Sequence, residues 1–190
     1  MTLALQTVPA RRVVLMGVSG CGKSTVGEGL AECLGWRFVE GDSLHPPENV
    51  AKMAAGQPLD DADRAGWLAT LADLLEGAHT QGQGLVISCS ALKRSYRERL
   101  RDGDPQALFV HLSGSRELIA QRIARRTHRY MPASLLESQF ATLQPPGADE
   151  QALALDVRLP PSALIEAVVQ HLQAPHLQDP HLQAQTCPSP

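Results

Sequence analysis

The stretch Gly17-Val18-Ser19-Gly20-Cys21-Gly22-Lys23-Ser24-Thr25 constrains this chain more than any other. It reads as a glycine, four residues, then glycine-lysine-serine. Val13-Val14-Leu15-Met16 before it is an apolar, strand-forming run, and Val26, Leu30 and Leu34 after it recur near helical spacing. Strand, glycine loop and helix in that order form a phosphate-binding loop. Glycines let the main chain curl until successive N–H groups face one hollow. The helix that starts there adds unpaired N–H groups and the positive end of its dipole. Gly17 to Thr25 are therefore the expected contacts to the phosphates of a nucleotide such as ATP. Lys23 is long enough to reach the β and γ phosphates, and the Ser24 hydroxyl is placed to ligate Mg2+. The glycine order G-x-x-G-x-G does not fit the dinucleotide fingerprint.

The rest of the chain repeats the same alternation. Strands are expected near 36–40, 85–89, 107–112 and 152–157. Helices are expected near 63–79, 93–102, 115–126, 132–140 and 162–172, the last capped by Ser162. A short helix opened by Pro46 and Pro47 should turn Val50 and Met53 inward. Leu85 to Cys89 is continuously apolar, as a parallel strand buried on both faces must be. The fold class that follows is α/β: a three-layer parallel sheet of about five strands with helices on both faces. A chain of 190 residues fits one such domain. We assign residues 1–173 to it, with a lid near 125–140. Residues 174–190 carry a His-Leu-Gln repeat with regular prolines, a composition expected to be disordered.

Composition narrows the partners. A net charge of −3 gives no general attraction to nucleic acid or an anionic membrane. No apolar run is long enough to cross a bilayer, and Met1 to Pro9 lacks the blocks of a signal peptide. The four cysteines show no metal-ligand spacing and read as reduced thiols in a cytoplasmic protein. Cys21, inside the electropositive loop, reads either as a small residue that fits there or as a thiol whose oxidation or alkylation would block the nucleotide.

In open α/β sheets ligands bind beyond the carboxyl ends of the strands. Asp42 lies just past such an end. It is the expected base for an acceptor hydroxyl, and a candidate to hold Mg2+ through water. His45 is placed to hydrogen-bond the same acceptor. Arg64, Lys93, Arg94 and Arg97 would suit a small anionic substrate. Arg122, Arg125, Arg126 and Arg129 cluster where a lid could clamp nucleotide phosphates, with Arg126 weighted first and Arg122 second. Lys23, Asp42 and Arg126 are the expected catalytic residues.

Several segments together resemble the P-loop type of gluconokinase. They are Gly17 to Ser24, Gly41-Asp42-Ser43-Leu44-His45-Pro46, Lys52 to Gly56, Asp61 to Trp67, Cys89-Ser90-Ala91-Leu92-Lys93 with Tyr96-Arg97, and Gln139-Phe140 with Thr142-Leu143-Gln144. The resemblance implies ATP-dependent, Mg2+-assisted phosphorylation of D-gluconate to 6-phosphogluconate. It also implies a nucleoside-monophosphate-kinase-like fold and a homodimer. It puts the acceptor near Asp42 and the lid near Arg126 to Met131, with His128 among the substrate contacts. Two departures stand out. Thr127 occupies the place of an expected lid glycine, and no aspartate follows the strand ending at Cys89, where Ser88 and Ser90 stand instead. A related small-molecule kinase, for shikimate or a nucleotide, and a non-catalytic nucleotide-binding regulator remain alternatives at this level.

Overall fold

A computed structural model describes residues 8–125 and 133–174. The expected lid residues Arg126 to Met131 and the repeat tail lie outside the described residues. Five strands form one sheet: β1 (Arg12–Met16), β2 (Arg37–Glu40), β3 (Leu85–Ser88), β4 (Leu108–Ser113) and β5 (Ala152–Asp156). Their order is β2-β3-β1-β4-β5, and every pairing is parallel. The helices are α1 (Lys23–Leu34), α2 (Pro47–Ala54), α3 (Asp61–Thr80), α4 (Arg94–Arg101), α5 (Arg116–Ala124), α6 (Ala133–Thr142) and α7 (Pro161–Gln173).

Side chains alternate across a strand, so the apolar run of β1 feeds two cores. Val13 and Leu15 pack with Leu30 of α1 and with Leu164 and Val168 of α7. Val14 and Met16 pack on the other face with Trp67, Leu71 and Leu75 of α3 and Leu100 of α4. All five residues of β1 are buried. The loop that leaves this strand therefore starts from a line buried on both faces.

Three local expectations need correction. α3 begins at Asp61 and not Asp63, because Asp60 caps it. Asp63 N donates to Asp60 Oδ1 at 2.8 Å, and Asp60 N donates back to Asp63 Oδ2 at 2.8 Å. α7 is capped by Pro160, with Pro161 as its first residue, so Ser162 is not the cap. In α2, Val50 is 49% exposed and Asn49 faces inward instead. The Asn49 amide reaches the Asp63 carbonyl at 2.7 Å, and meeting that polar group sets the helix rotation.

Candidate active site

The phosphate loop follows β1 as expected. Gly17, Gly20 and Gly22 all have positive φ, at 135°, 85° and 103°, a conformation that disfavours side chains. Gly22 is the N-cap of α1 and provides no side-chain cap, so the first N–H groups of the helix remain available to an anion. Gly17 N donates to Ser90 O at 3.2 Å, tying the loop to the segment after β3. Lys23 Nζ donates to the carbonyls of Gly17 and Val18, both at 3.1 Å. Its ammonium is thereby folded over the loop that a triphosphate would occupy.

Ser24 reveals a residue that the sequence reading passed over. Its hydroxyl donates to the carboxylate of Glu40, which also accepts from the Ser88 hydroxyl. Sheet register explains the meeting. Glu40 is paired with Ser88 across β2 and β3, and Ser88 with Leu15 across β3 and β1. The sequence pattern makes Glu40 the last residue of a strand. Its position two residues before Asp42, at a carboxyl end, was the available signal. Ser24 makes no hydrogen bond to Asp42 among the described residues. The carboxylate that meets Ser24 in the geometry is Glu40, beside the expected pairing of Ser24 with Asp42.

Asp42 sits half-buried in a 3-10 turn, Gly41–Leu44. The turn lies hard against β3, since a Cβ on Gly41 would come within 2.2 Å of the Ser88 carbonyl oxygen. Trp67 Nε1 donates to Gly41 O at 2.7 Å and pins the turn to α3. The His45 ring stacks on Trp67 with centroids 4.1 Å apart and planes 18° from parallel. His45 is only 8% exposed, and its Nδ1 is buried without a hydrogen bond among the described residues. Burial lowers its pKa below the ordinary 6.5, with Asp42 opposing and Arg64 reinforcing the shift.

Next to the loop lies a cavity of about 470 Å³ whose lining includes Leu59, Asp61, Arg64, Lys93, Tyr96 and Gln139. Lys93 Nζ reaches both Asp61 oxygens, at 2.6 and 2.8 Å, and the Tyr96 hydroxyl donates to the same carboxylate. Those bonds, Lys93 first, hold the Asp61 carboxyl below the usual range. The Arg64 guanidinium lies 5.7 Å from the centre of the Tyr96 ring. Gln139, from α6, also accepts a hydrogen bond from Ser19 N at 2.6 Å, so the cavity and the phosphate loop adjoin.

The remaining expectations divide. Arg97 is fully enclosed, with all its nitrogens engaged. Nε and Nη2 grip Glu150 at 2.6 and 2.8 Å, and Nη1 donates to the carbonyls of Ala91, Leu92 and Gln144. It is a strut beneath the site and not a free cation for a substrate. Arg94 pairs with Glu98 and Asp149 on the surface. Arg122 is half-buried and spends one nitrogen on Val157 O at 2.5 Å. Cys21 is 1% exposed and packed in the core, which removes it as an accessible thiol; small size is its contribution. Arg126, His128 and Arg129 lie outside the described residues.

Known proteins are similar to this chain over most of its length. The chain is 53% identical over 164 residues to a gluconokinase of Gluconobacter oxydans (strain 621H), covering 86% of this chain and 92% of that protein. This chain belongs to the gluconokinase family. It is also 41% identical over 158 residues to the thermoresistant gluconokinase of Escherichia coli (strain K12), covering 83% of this chain and 90% of that one. The crystal structure of a gluconokinase from Sinorhizobium meliloti 1021 superposes with a TM-score of 0.79 at 45% identity, over 88% of this chain and 93% of the other. The shikimate kinase family model matches residues 19–143, the span from the phosphate loop to the end of α6. The five-stranded parallel sheet is therefore the P-loop kinase fold.

Proposed function

We infer that this chain transfers the γ-phosphoryl group of ATP to a hydroxyl of D-gluconate, giving 6-phospho-D-gluconate and ADP. The acceptor oxygen attacks the γ phosphorus, the bond to the β–γ bridging oxygen breaks, and the hydroxyl proton passes to Asp42. Loop N–H groups and Lys23 hold the β and γ phosphates. Arg126, with Arg122, neutralises charge on the moving group from the lid side. Arg64 and Lys93 pair with the acceptor carboxylate, and His45 and His128 hydrogen-bond its hydroxyls. The carrying observation is that a cation-bearing cavity adjoins a phosphate cradle in a chain 53% identical to a gluconokinase.

Mg2+ fits the oxygen donors present. The Ser24 hydroxyl and the Glu40 carboxylate would hold it, and Asp42 would reach it through water. When bound, it would neutralise β and γ phosphate charge. A cytoplasmic homodimer is the setting we attach to this reading, and light scattering of the purified chain checks the dimer.

The test is a coupled ADP-release assay with ATP, Mg2+ and a panel of sugar acids, shikimate and nucleoside monophosphates. Gluconate should give the highest kcat/KM. Asp42→Asn should bind ATP normally and lose about 10²–10⁴ in turnover, the range of a general base. Activity on shikimate or a nucleotide but not gluconate would overturn the substrate. Near wild-type turnover in Asp42→Asn would overturn the base.

A further inference from the structure

Gln139 is the one residue seen both to hydrogen-bond the phosphate loop and to line the acceptor cavity among the described residues. Its Oε1 takes the Ser19 N–H at 2.6 Å, across 120 residues of sequence. A side-chain amide is planar, with an acceptor at one end and a two-proton donor at the other. Fixing the oxygen on Ser19 fixes where the Nε2 donor can point. That donor makes no hydrogen bond among the described residues, and the residue that carries it lines the cavity.

The helix that carries Gln139 is itself fastened to the acceptor side. Gln144 N, just past α6, donates to Leu92 O at 2.8 Å, and Arg94 N donates to Gln144 Oε1 at 2.7 Å. Phe140 packs against the core on the α1 and α7 side of the sheet. The amide is thus held between the segment that bears Lys93 and the loop that bears Lys23. A cation here could not accept from Ser19 N–H, and a carboxylate could not donate outward. An amide does both.

We propose that Gln139 is a catalytic residue of this kinase: anchored by Ser19, it donates its Nε2 hydrogen bond to the transferring phosphoryl group. This rests on the gluconate kinase reading and deepens it. A donor already oriented toward developing charge lowers the barrier without reorganising during the reaction.

Two variants separate the roles of the amide. Gln139→Glu keeps an oxygen for Ser19 N–H and replaces the donor with an anionic oxygen. Gln139→Ala removes both ends. Each should lower kcat by about 10²-fold, the loss typical of one oxyanion-stabilising donor, with gluconate KM changed by less than about threefold. In calorimetry, Gln139→Glu should bind ADP like wild type and bind a non-hydrolysable ATP analogue more weakly. Turnover within about twofold of wild type in both variants would overturn the proposal. So would tighter binding of both nucleotides to Gln139→Ala at unchanged kcat, because the side chain would then merely occupy the loop. Gln139→Glu is close to isosteric, so it decides the matter if the alanine variant folds poorly. If the wild type ignores gluconate, the substrate reading fails alone. The difference between ADP and ATP-analogue binding still decides the role of Gln139.

Discussion

Replacing Glu150 with leucine should cost about 3 kcal/mol of stability and weaken the acceptor site from a distance. Two routes give the same magnitude. Glu150 and Arg97 have side chains only 4% and 1% exposed. Removing one partner of a buried ion pair typically costs about 3–5 kcal/mol, because the other charge is left without compensation. The same contacts hold the Glu150 carboxyl down to about 2 from an ordinary 4.5, chiefly through the Arg97 hydrogen bonds. That difference corresponds to about 3 kcal/mol. Because the folded pKa is depressed, the stabilisation is present above pH 4.5 and is lost as pH falls toward 2.

The consequence reaches the site through one nitrogen. Arg97 Nη1 donates to the carbonyls of Ala91 and Leu92, and Ala91 has φ 41°, the only positive value on a non-glycine residue among those described. Such a conformation persists only where its surroundings enforce it. The same segment carries Ser90, whose carbonyl anchors Gly17, and Lys93, which lines the cavity. Urea unfolding should therefore show the lost stability, and gluconate KM should rise more than ATP KM. The double variant Arg97→Met with Glu150→Leu should recover only part of the loss. Three carbonyls still lose their donor in it. A single variant within about 1 kcal/mol of wild type, with unchanged gluconate KM, would refute the reasoning.

Two further outcomes follow from the geometry. Gly41→Ala should cost about 1–3 kcal/mol as an overpacked site, and should lose turnover by moving Glu40 and Asp42 together. Unfolding midpoints and kcat check it, and an unchanged kcat would show that the tight approach to Ser88 is dispensable. Burial lowers the pKa of His45, His111 and His171, with Arg97 adding to the effect at His111 and Arg11 at His171. The unfolded chain then takes up protons first, so stability is full above about pH 6.5 and declines as pH falls below it. Urea midpoints at about pH 7.5 and about pH 5.5 should differ in that sense, and less so in His45→Gln; equal midpoints would refute it.

Residues whose roles depend on local pattern were legible before any coordinates. The loop from Gly17 to Ser24 and the buried run at β3 were read from composition and spacing, and the parallel sheet from their alternation. Chemistry that depends on register was not. Glu40 meets Ser24 only because β2 lies beside β3 and β3 beside β1, a strand order that no short window of sequence encodes. The same blindness turned Arg97 into a substrate cation. Its sequence neighbours are basic, but its partner Glu150 lies 53 residues away. Both errors share a physical origin. A charged group is defined by what neutralises it, and burial makes that partner decisive. Arg64 and Lys93 stand in a different setting. They border a cavity, and the counter-ion of Lys93, Asp61, is itself exposed, so exchange for a ligand carboxylate costs little desolvation. Reading a kinase acceptor site from sequence thus requires asking, for each cation, whether its neutralising partner could be traded for the substrate.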